Sequence, residues 1–306
     1  MPLDPEASQF LENMAARRGA PAHTQSPAAL RERSKKMGSP PGPDVHSVTD
    51  ATVPGPESDV AVRIYRPDDR DGHPIVLMIH GGGFTFGSID SVDGIARRTC
   101  EALPAVVVSI DYRLAPEDPY PAAVADCYAV LDWVANHAAE IGGDSARIAV
   151  TGESSGGNLA AAVALMARDR GGPHLAFQLL VVPLLDNDFS RPSWSDNAAY
   201  PPTQADMAFY FQNYLGGESS PGPYALPALV EDLSGLPPAL VITAEFDPVR
   251  DSGEAYAARL QDAGVRASLR RFDGTIHLFY LLGGVLEKGV EAFELGIESM
   301  RQELSV

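Results

Sequence analysis

The chain has 306 residues, of which 45% are hydrophobic, and a formal net charge of −18 from 23 basic and 41 acidic side chains. A surface this acidic repels nucleic acid and anionic lipid, so we expect no nucleic-acid partner and no stable membrane association. The two cysteines, Cys100 and Cys127, do not indicate a disulfide framework. The first 20 residues lack the apolar core of a signal peptide, and we therefore expect a cytoplasmic protein.

Strand and helix patterns alternate along most of the chain. Residues 1–45 are helix-like segments that end in the boundary-like GSPPGPD, and residues 45–53 and 60–67 alternate as half-buried strands do. Six apolar runs rich in Val, Ile and Leu follow, at 74–80, 105–112, 146–153, 175–185, 238–246 and 267–273. Most precede a helical pattern, at 91–103, 120–138, 155–169, 251–264 and 284–303. This alternation predicts an α/β fold with a mostly parallel sheet flanked by helices.

One long connection breaks the alternation. Residues 187–237 hold prolines, serines and several aromatic side chains but no apolar strand pattern. Connections of this length are usually functional, for example as a lid over a site. We therefore interpret residues 187–237 as an insertion into the α/β core.

The segment 152–156, GESSG, lies between a predicted strand and a predicted helix, where the chemistry of a parallel sheet is found. It matches G-x-S-x-G, the turn that presents a nucleophilic serine. Crowding at this turn favours glycine two residues before and two after the nucleophile. Ser154 has glycine at both positions, whereas Ser155 would have Glu153 at one of them. We predict Ser154 as the nucleophile; a glycine-rich turn that only packs a helix onto the sheet is the alternative.

A nucleophilic serine needs a base, and in this arrangement the base follows the acid along the chain. Two histidines follow Ser154. His174 precedes a predicted strand and is expected at the opposite edge of the sheet. His277 follows a predicted strand and precedes the last helix, which places it at the edge where Ser154 lies. We predict His277 as the base.

The acid is expected just after the strand at 238–246, where three carboxylates are candidates. Glu245 still belongs to the predicted strand, and Asp251 is predicted to cap the next helix. Asp247 comes directly after the strand and is held by Pro248. We predict that Asp247 orients the base.

His80, Gly81, Gly82 and Gly83 follow another predicted strand. Three glycines let the backbone approach a ligand closely and turn its N–H groups inward. We predict an oxyanion hole formed by the N–H groups of Gly82, Gly83 and Ser155, the residue after the nucleophile. The segment matches neither GxxxxGK[ST] nor GxGxxG, which bind phosphate. His80 could be taken for a base, but its position favours a hydrogen bond to neighbouring backbone.

Together these motifs resemble the hormone-sensitive-lipase family of α/β-hydrolases, a group of bacterial carboxylesterases, over nearly the whole chain. The matching segments are HGGGF at 80–84, DYRLAPE at 111–117, GESSGG at 152–157, EFDPVRD at 245–251 and IHLF at 276–279. The resemblance implies an α/β-hydrolase fold and the triad Ser154, Asp247 and His277. It implies hydrolysis of small-molecule esters with short to medium acyl chains, and no cofactor or metal.

The resemblance also implies a helical cap. Residues 1–45 and 187–237 would form this cap, and residues 46–186 and 238–306 the catalytic core. Separately from the resemblance, an edge strand or the last helix could support a homodimer. Phe84, Phe209, Tyr210 and Phe211 either line an acyl pocket or pack in the core; the sequence leaves both possibilities open.

Three positions depart from the family's usual GDSAGG and IHGF segments. Glu153 replaces Asp and keeps the charge with a longer reach, Ser155 replaces Ala and keeps its backbone N–H, and Leu278 replaces Gly and adds bulk beside the base. In DYRLAPE, Arg113 and Glu117 are expected to pair and fix the turn. We also expect Glu153, His80 and Gly81 to support the site, because they adjoin the predicted nucleophile and the predicted oxyanion hole.

Two other functions remain as alternatives. The same triad could cleave amides or lactones. A non-catalytic receptor for a small ligand could use the same fold, as the plant gibberellin receptors do, but those lack the catalytic histidine and this chain retains His277.

Overall fold

The computed structural model describes residues 2–17, 20–218, 221–282 and 286–306. The strands are β1 (Ser47–Val53), β2 (Val60–Arg66), β3 (His73–Ile79), β4 (Val106–Asp111), β5 (Gly143–Glu153), β6 (Phe177–Val181), β7 (Ala239–Phe246) and β8 (Ala267–Ile276). The α-helices are α1 (Pro5–Arg17), α2 (Pro27–Met37), α3 (Asp93–Ala102), α4 (Ala122–His137), α5 (Ser155–Asp169), α6 (Pro192–Asp196), α7 (Gln204–Leu215), α8 (Arg250–Asp262) and α9 (Glu287–Leu304).

The described strands form one sheet in the order β1-β2-β4-β3-β5-β6-β7-β8. β2 pairs antiparallel with both β1 and β4, and every pair from β4 to β8 is parallel. The predicted mostly parallel sheet flanked by helices is therefore confirmed. Because parallel strands share one carboxyl edge, the residues that follow β3, β5, β7 and β8 lie at the same edge of the sheet.

Both faces of the sheet are buried, which explains why its central strands read as continuous apolar runs. All seven residues of β3 are buried. Ile75, Leu77 and Ile79 pack on the face covered by α4, α5 and α8. Val76 and Met78 pack on the other face, against α3 and α9. This two-sided core holds the strand ends in fixed positions relative to one another.

Most predicted elements are present, with shifted ends. α5 has the predicted bounds. β6 ends at Val181, although the apolar run continues to residue 185, because Pro183 lacks the N–H that a strand pair needs. α9 begins at Glu287; the predicted helix starts at residue 284, and residues 284 and 285 lie outside the described residues. No helix in the described part of the chain is long and apolar enough to cross a membrane.

The N-terminal segment and the insertion contact each other. His23, between α1 and α2, lies with its Nδ1 2.8 Å from Oδ1 of Asp206 in α7, and its backbone N–H donates to the same oxygen at 3.1 Å. Burial raises the pKa of Asp206, but its hydrogen bonds, chiefly from His23, outweigh this and hold the pKa below its usual value. The division of the chain into a cap and a core stays a prediction.

A buried ion pair fixes the segment after β4, but not the pair expected from the sequence. The guanidinium of Arg113 donates to Asp126 of α4 at 2.8 and 2.9 Å, and its backbone N–H donates to the same carboxylate at 3.0 Å. Asp126 is fully buried. The expected Arg113–Glu117 pair is wrong, because α4 brings Asp126 to Arg113 while Glu117 faces Arg31 of α2.

Replacing Arg113 with Ala leaves Asp126 buried without its counter-charge. We expect the variant to lose about 3–5 kcal/mol of the free energy of unfolding, which a urea titration followed by fluorescence measures. Arg70→Ala is the matched control, because it removes an arginine from an exposed pair with Asp68, and its unfolding midpoint should stay close to that of the parent protein. Equal midpoints for the two variants would contradict this account.

Candidate active site

Ser154 lies at the junction of β5 and α5, with φ 56° and ψ −117°. This conformation is strained for a residue with a side chain, and it places the hydroxyl at the carboxyl edge of the sheet. A Cβ at Gly152 would overlap the carbonyl of Gly156, and a Cβ at Gly156 would overlap the carbonyl of Ile79 in β3. Both flanking positions therefore require glycine, although the crowding comes from neighbouring backbone rather than from the Ser154 side chain.

The structure brings together the three residues predicted as the triad. The Ser154 hydroxyl lies 2.9 Å from Nε2 of His277, and Nδ1 of His277 lies 2.8 Å from Oδ2 of Asp247. Only 5% of Ser154, 3% of His277 and none of Asp247 is exposed. With the ring proton on Nδ1 and donated to Asp247, Nε2 is free to accept the proton of Ser154. The arrangement is a hydroxyl, a base and an orienting carboxylate in one hydrogen-bonded chain.

The loop of Asp247 is held by contacts that the sequence did not indicate. The backbone N–H of Val249 donates to the second carboxylate oxygen of Asp247 at 3.0 Å. Asn197, just after α6, donates to the carbonyl of Asp247 at 3.1 Å, and Ser193 donates to the carbonyl of Pro248 at 2.7 Å. Both side chains are buried. The insertion therefore positions the acid, through residues with no local sequence signal.

The other candidates for acid and base have different partners. Glu245 accepts a hydrogen bond from the backbone N–H of Gly274 at 2.7 Å. Asp251 lies inside the first turn of α8 and accepts from the N–H of Ser193 at 2.8 Å, so its predicted role as the helix cap is wrong. His174 is exposed between α5 and β6.

Two carboxyl groups face His277. Burial alone would lower the pKa of His277, but the charge and hydrogen bond of Asp247 outweigh it, and Glu153 adds to the effect, so the pKa is raised. Glu153 lies 4.0 Å from Nε2 of His277. Burial raises the pKa of Glu153 to about 7, with Asp247 contributing and His277 opposing. Glu153 therefore acts on the base as a second, buried negative charge when it is ionised.

The segment that follows β3, residues 80–86, is here named the oxyanion loop. Every carbonyl of residues 81–85 accepts a hydrogen bond. The bonds are Gly81 from His80 Nδ1 at 2.8 Å, Gly82 from Thr85 N at 3.1 Å and Phe86 N at 3.0 Å, Gly83 from Thr85 Oγ1 at 3.0 Å, Phe84 from Ala115 N at 2.9 Å, and Thr85 from Arg31 Nε at 2.9 Å. The expected bond from His80 to neighbouring backbone is among them.

The N–H groups predicted as the oxyanion hole lie at positions where, among the described residues, no hydrogen bond from them to the protein is found. Within the four described ranges, neither the N–H of Gly82 nor that of Gly83 donates to a backbone or side-chain oxygen. Ser155 is the first residue of α5, so its N–H has no acceptor within that helix. β3 and β5 are neighbours in the sheet, which places these donors at the same edge as the Ser154 hydroxyl.

Aromatic side chains of α7 pack on the oxyanion loop. The ring of Tyr210 lies where a Cβ of Gly83 would be, and Phe84 stacks on Tyr214 with 3.7 Å between ring centroids. Phe84, Tyr210 and Phe211 are buried, which favours packing between α7 and the loop as their role. Leu278 is half-buried next to His277, and the histidine keeps both of its hydrogen bonds.

A separate cleft of about 490 Å³ lies beside β1, β2 and α3. Its arginines are neutralised by neighbouring carboxylates: Arg63 pairs with Asp50, Asp90 and Asp93, and Arg97 pairs with Asp93. None of the three residues of the triad lines this cleft. In the described part of the chain, no three His, Cys, Asp or Glu side chains are placed to hold a metal ion.

Comparisons with known proteins place the chain among α/β-hydrolases. Residues 76–281 match the family described by the α/β-hydrolase fold. Carboxylesterase NlhH of Mycobacterium tuberculosis is 43% identical over 81% of this chain and 79% of its own length. The ethyl acetate hydrolase of Pseudomonas putida is 30% identical over 99% of this chain and 100% of its own length. The solved structure of a hyperthermophilic esterase from Pyrobaculum calidifontis is 40% identical, covers 99% of both chains and superposes with a TM-score of 0.91. The chain therefore belongs to the hormone-sensitive-lipase-like family of α/β-hydrolases.

Proposed function

We propose that the protein is a serine carboxylesterase that hydrolyses small esters with short to medium acyl chains. The observation that carries this proposal is the buried hydrogen-bonded chain from Ser154 through His277 to Asp247. Relatives across most of the chain are named carboxylesterases and esterases, which supports the same reaction class.

Acylation begins when Ser154 attacks the ester carbonyl carbon and its proton passes to Nε2 of His277. The carbonyl oxygen becomes an oxyanion, which the N–H groups of Gly82, Gly83 and Ser155 stabilise. Asp247 stabilises the imidazolium that forms. The intermediate then collapses, the alcohol leaves with the proton from His277, and the acyl group stays on Ser154.

Deacylation uses the same groups in the reverse sense. Water enters after the alcohol has left, and His277 removes its proton as it attacks the acyl-enzyme. The second tetrahedral intermediate releases the carboxylic acid and restores the hydroxyl of Ser154. Apart from this water, every step uses groups of the chain itself, so the mechanism requires no cofactor.

The preference for smaller esters rests on the surroundings of the nucleophile. Ser154 and His277 are almost completely buried. Aromatic side chains of α7 pack on the neighbouring oxyanion loop. A narrow approach favours acyl chains that are short. The relative from Pseudomonas putida is named for hydrolysis of ethyl acetate, an ester of this size.

Ser154→Ala and His277→Ala should each lower kcat by a factor of about 10⁴–10⁶, because each removes one member of a unit that acts together. The kcat of Ser155→Ala should stay within about threefold of that of the parent protein, since the oxyanion donor at this position is a backbone N–H. Hydrolysis of nitrophenyl acetate, butyrate and palmitate measures both effects, and kcat/KM should be highest on the two shorter esters. Full activity of Ser154→Ala would sink the mechanism. An inert parent protein that binds a small ligand tightly would favour a receptor.

The pH dependence of kcat/KM reports the base. Protonated His277 cannot accept the proton of Ser154, so activity falls as the pH drops below the pKa of His277, which is raised above its ordinary value. Glu153→Gln removes a charge that raises this pKa. In this variant the acid limb of the profile, the fall of kcat/KM at low pH, should therefore move to lower pH. Glu153→Asp keeps the charge and should leave the limb near that of the parent protein. A limb in Glu153→Gln that stays in place, or moves to higher pH, would contradict the assignment.

A further inference from the structure

Arg31 of α2 joins three segments that are distant in the sequence. Its Nε donates to the carbonyl of Thr85 at 2.9 Å, and its Nη2 donates to the carbonyl of Ala115 at 3.0 Å. Its Nη1 donates to Glu117 at 2.9 Å, which holds the pKa of that carboxyl below its usual value. Three-quarters of the Arg31 side chain is shielded from solvent. The guanidinium thus binds the end of the oxyanion loop and the turn after β4 at once.

The Thr85 carbonyl is linked to an oxyanion donor through two rigid peptide groups. The carbonyl of Thr85 and the N–H of Phe86 belong to one planar peptide, so fixing the first orients the second. That N–H donates to the carbonyl of Gly82 at 3.0 Å. The carbonyl of Gly82 in turn shares a planar peptide with the N–H of Gly83. A change at Arg31 therefore reaches the Gly83 N–H through two hydrogen bonds and two peptide planes.

The loop needs such a restraint because its torsion angles are weakly restricted. Gly82 has φ 123° and Gly83 has φ 57°, and glycine moves between backbone conformations at little cost. Hydrogen bonds therefore determine where their N–H groups point. The N–H of Ala115 fixes the carbonyl of Phe84 at 2.9 Å, and Arg31 fixes the next carbonyl along. Arg31 also binds the carbonyl of Ala115, so it braces the second support of the loop.

We propose that Arg31 is a positioning residue for the oxyanion loop, acting through the Thr85 carbonyl to hold the Gly83 N–H toward the developing oxyanion. This inference rests on the proposed esterase function. Arginine suits the task because its planar fork donates in several fixed directions, whereas a lysine ammonium is a single compact charge. A residue of the predicted cap segment would then act on the rate of the chemical step, not only on access to the site.

A competing role is that Arg31 only anchors α2. Two matched variants separate the roles. Glu117→Gln weakens the ion pair but leaves both carbonyl contacts of Arg31 in place. His23→Ala removes the side-chain contact with Asp206 that ties the same N-terminal segment to α7; the hydrogen bonds described for His23 both go to Asp206 and not to the oxyanion loop.

The experiment compares Arg31→Met, Arg31→Lys, Glu117→Gln and His23→Ala with the parent protein on nitrophenyl acetate. Arg31→Met should lower kcat by about 10–100-fold, as expected for a misplaced catalytic geometry, with KM within about threefold. Inhibition by a trifluoromethyl ketone, which adds to serine and forms an oxyanion, should weaken by the same factor as kcat. Arg31→Lys should recover part of the loss, and the two matched variants should stay within about threefold.

The role is overturned if Arg31→Met matches Glu117→Gln in kcat, or if His23→Ala loses as much kcat as Arg31→Met. It is also overturned if KM rises while the ketone binds as tightly as before. Thermal unfolding of each variant, followed by circular dichroism, shows whether the fold is kept. Ser154→Ala serves as the blank: ester hydrolysis that survives it, or a parent protein without activity, would overturn the proposed function and the role of Arg31 with it.

Discussion

The strained turn at Ser154 is the constraint on which the rest of the site depends. A positive φ between β5 and α5 is maintained only because glycines on both sides let α5 and the end of β3 approach the turn closely. The two-sided core of the sheet holds these elements in place. Because β3, β5, β7 and β8 end at one edge, the same core delivers the glycine loop, the serine, the acid and the histidine to one point.

Positioning of the catalytic groups is shared between the core and the segments outside it. The core supplies Ser154 and His277 directly from strand ends. The insertion holds the loop of Asp247 through Asn197 and Ser193. The N-terminal segment reaches the oxyanion loop through Arg31. The segments predicted as a cap thus contact the backbone that orients the catalytic groups, which couples their placement to the chemistry.

The sequence predicted the fold class and the residues that meet at the site, because each of them lies at or shortly after the end of a predicted strand. Chain order and glycine register were sufficient to choose Ser154, Asp247 and His277. Contacts such as those of Arg31 and Asn197 left no local signal, since their partners are dozens of residues away. The wrong Arg113–Glu117 pair shows the same limit: proximity in sequence favoured Glu117, whereas the buried partner comes from the next helix. The packing of Tyr210 on Gly83 could not be predicted either, because the two residues are far apart in the sequence and meet only in the folded chain.

Covalent labelling tests the central claim most directly. A nitrophenyl phosphonate transfers its phosphonyl group to the activated serine of a serine hydrolase, and mass spectrometry of the digested protein then locates the modified residue. The account predicts complete modification of Ser154 and none of its neighbour Ser155. Modification of Ser155, or of a residue elsewhere while ester hydrolysis is lost, would contradict it.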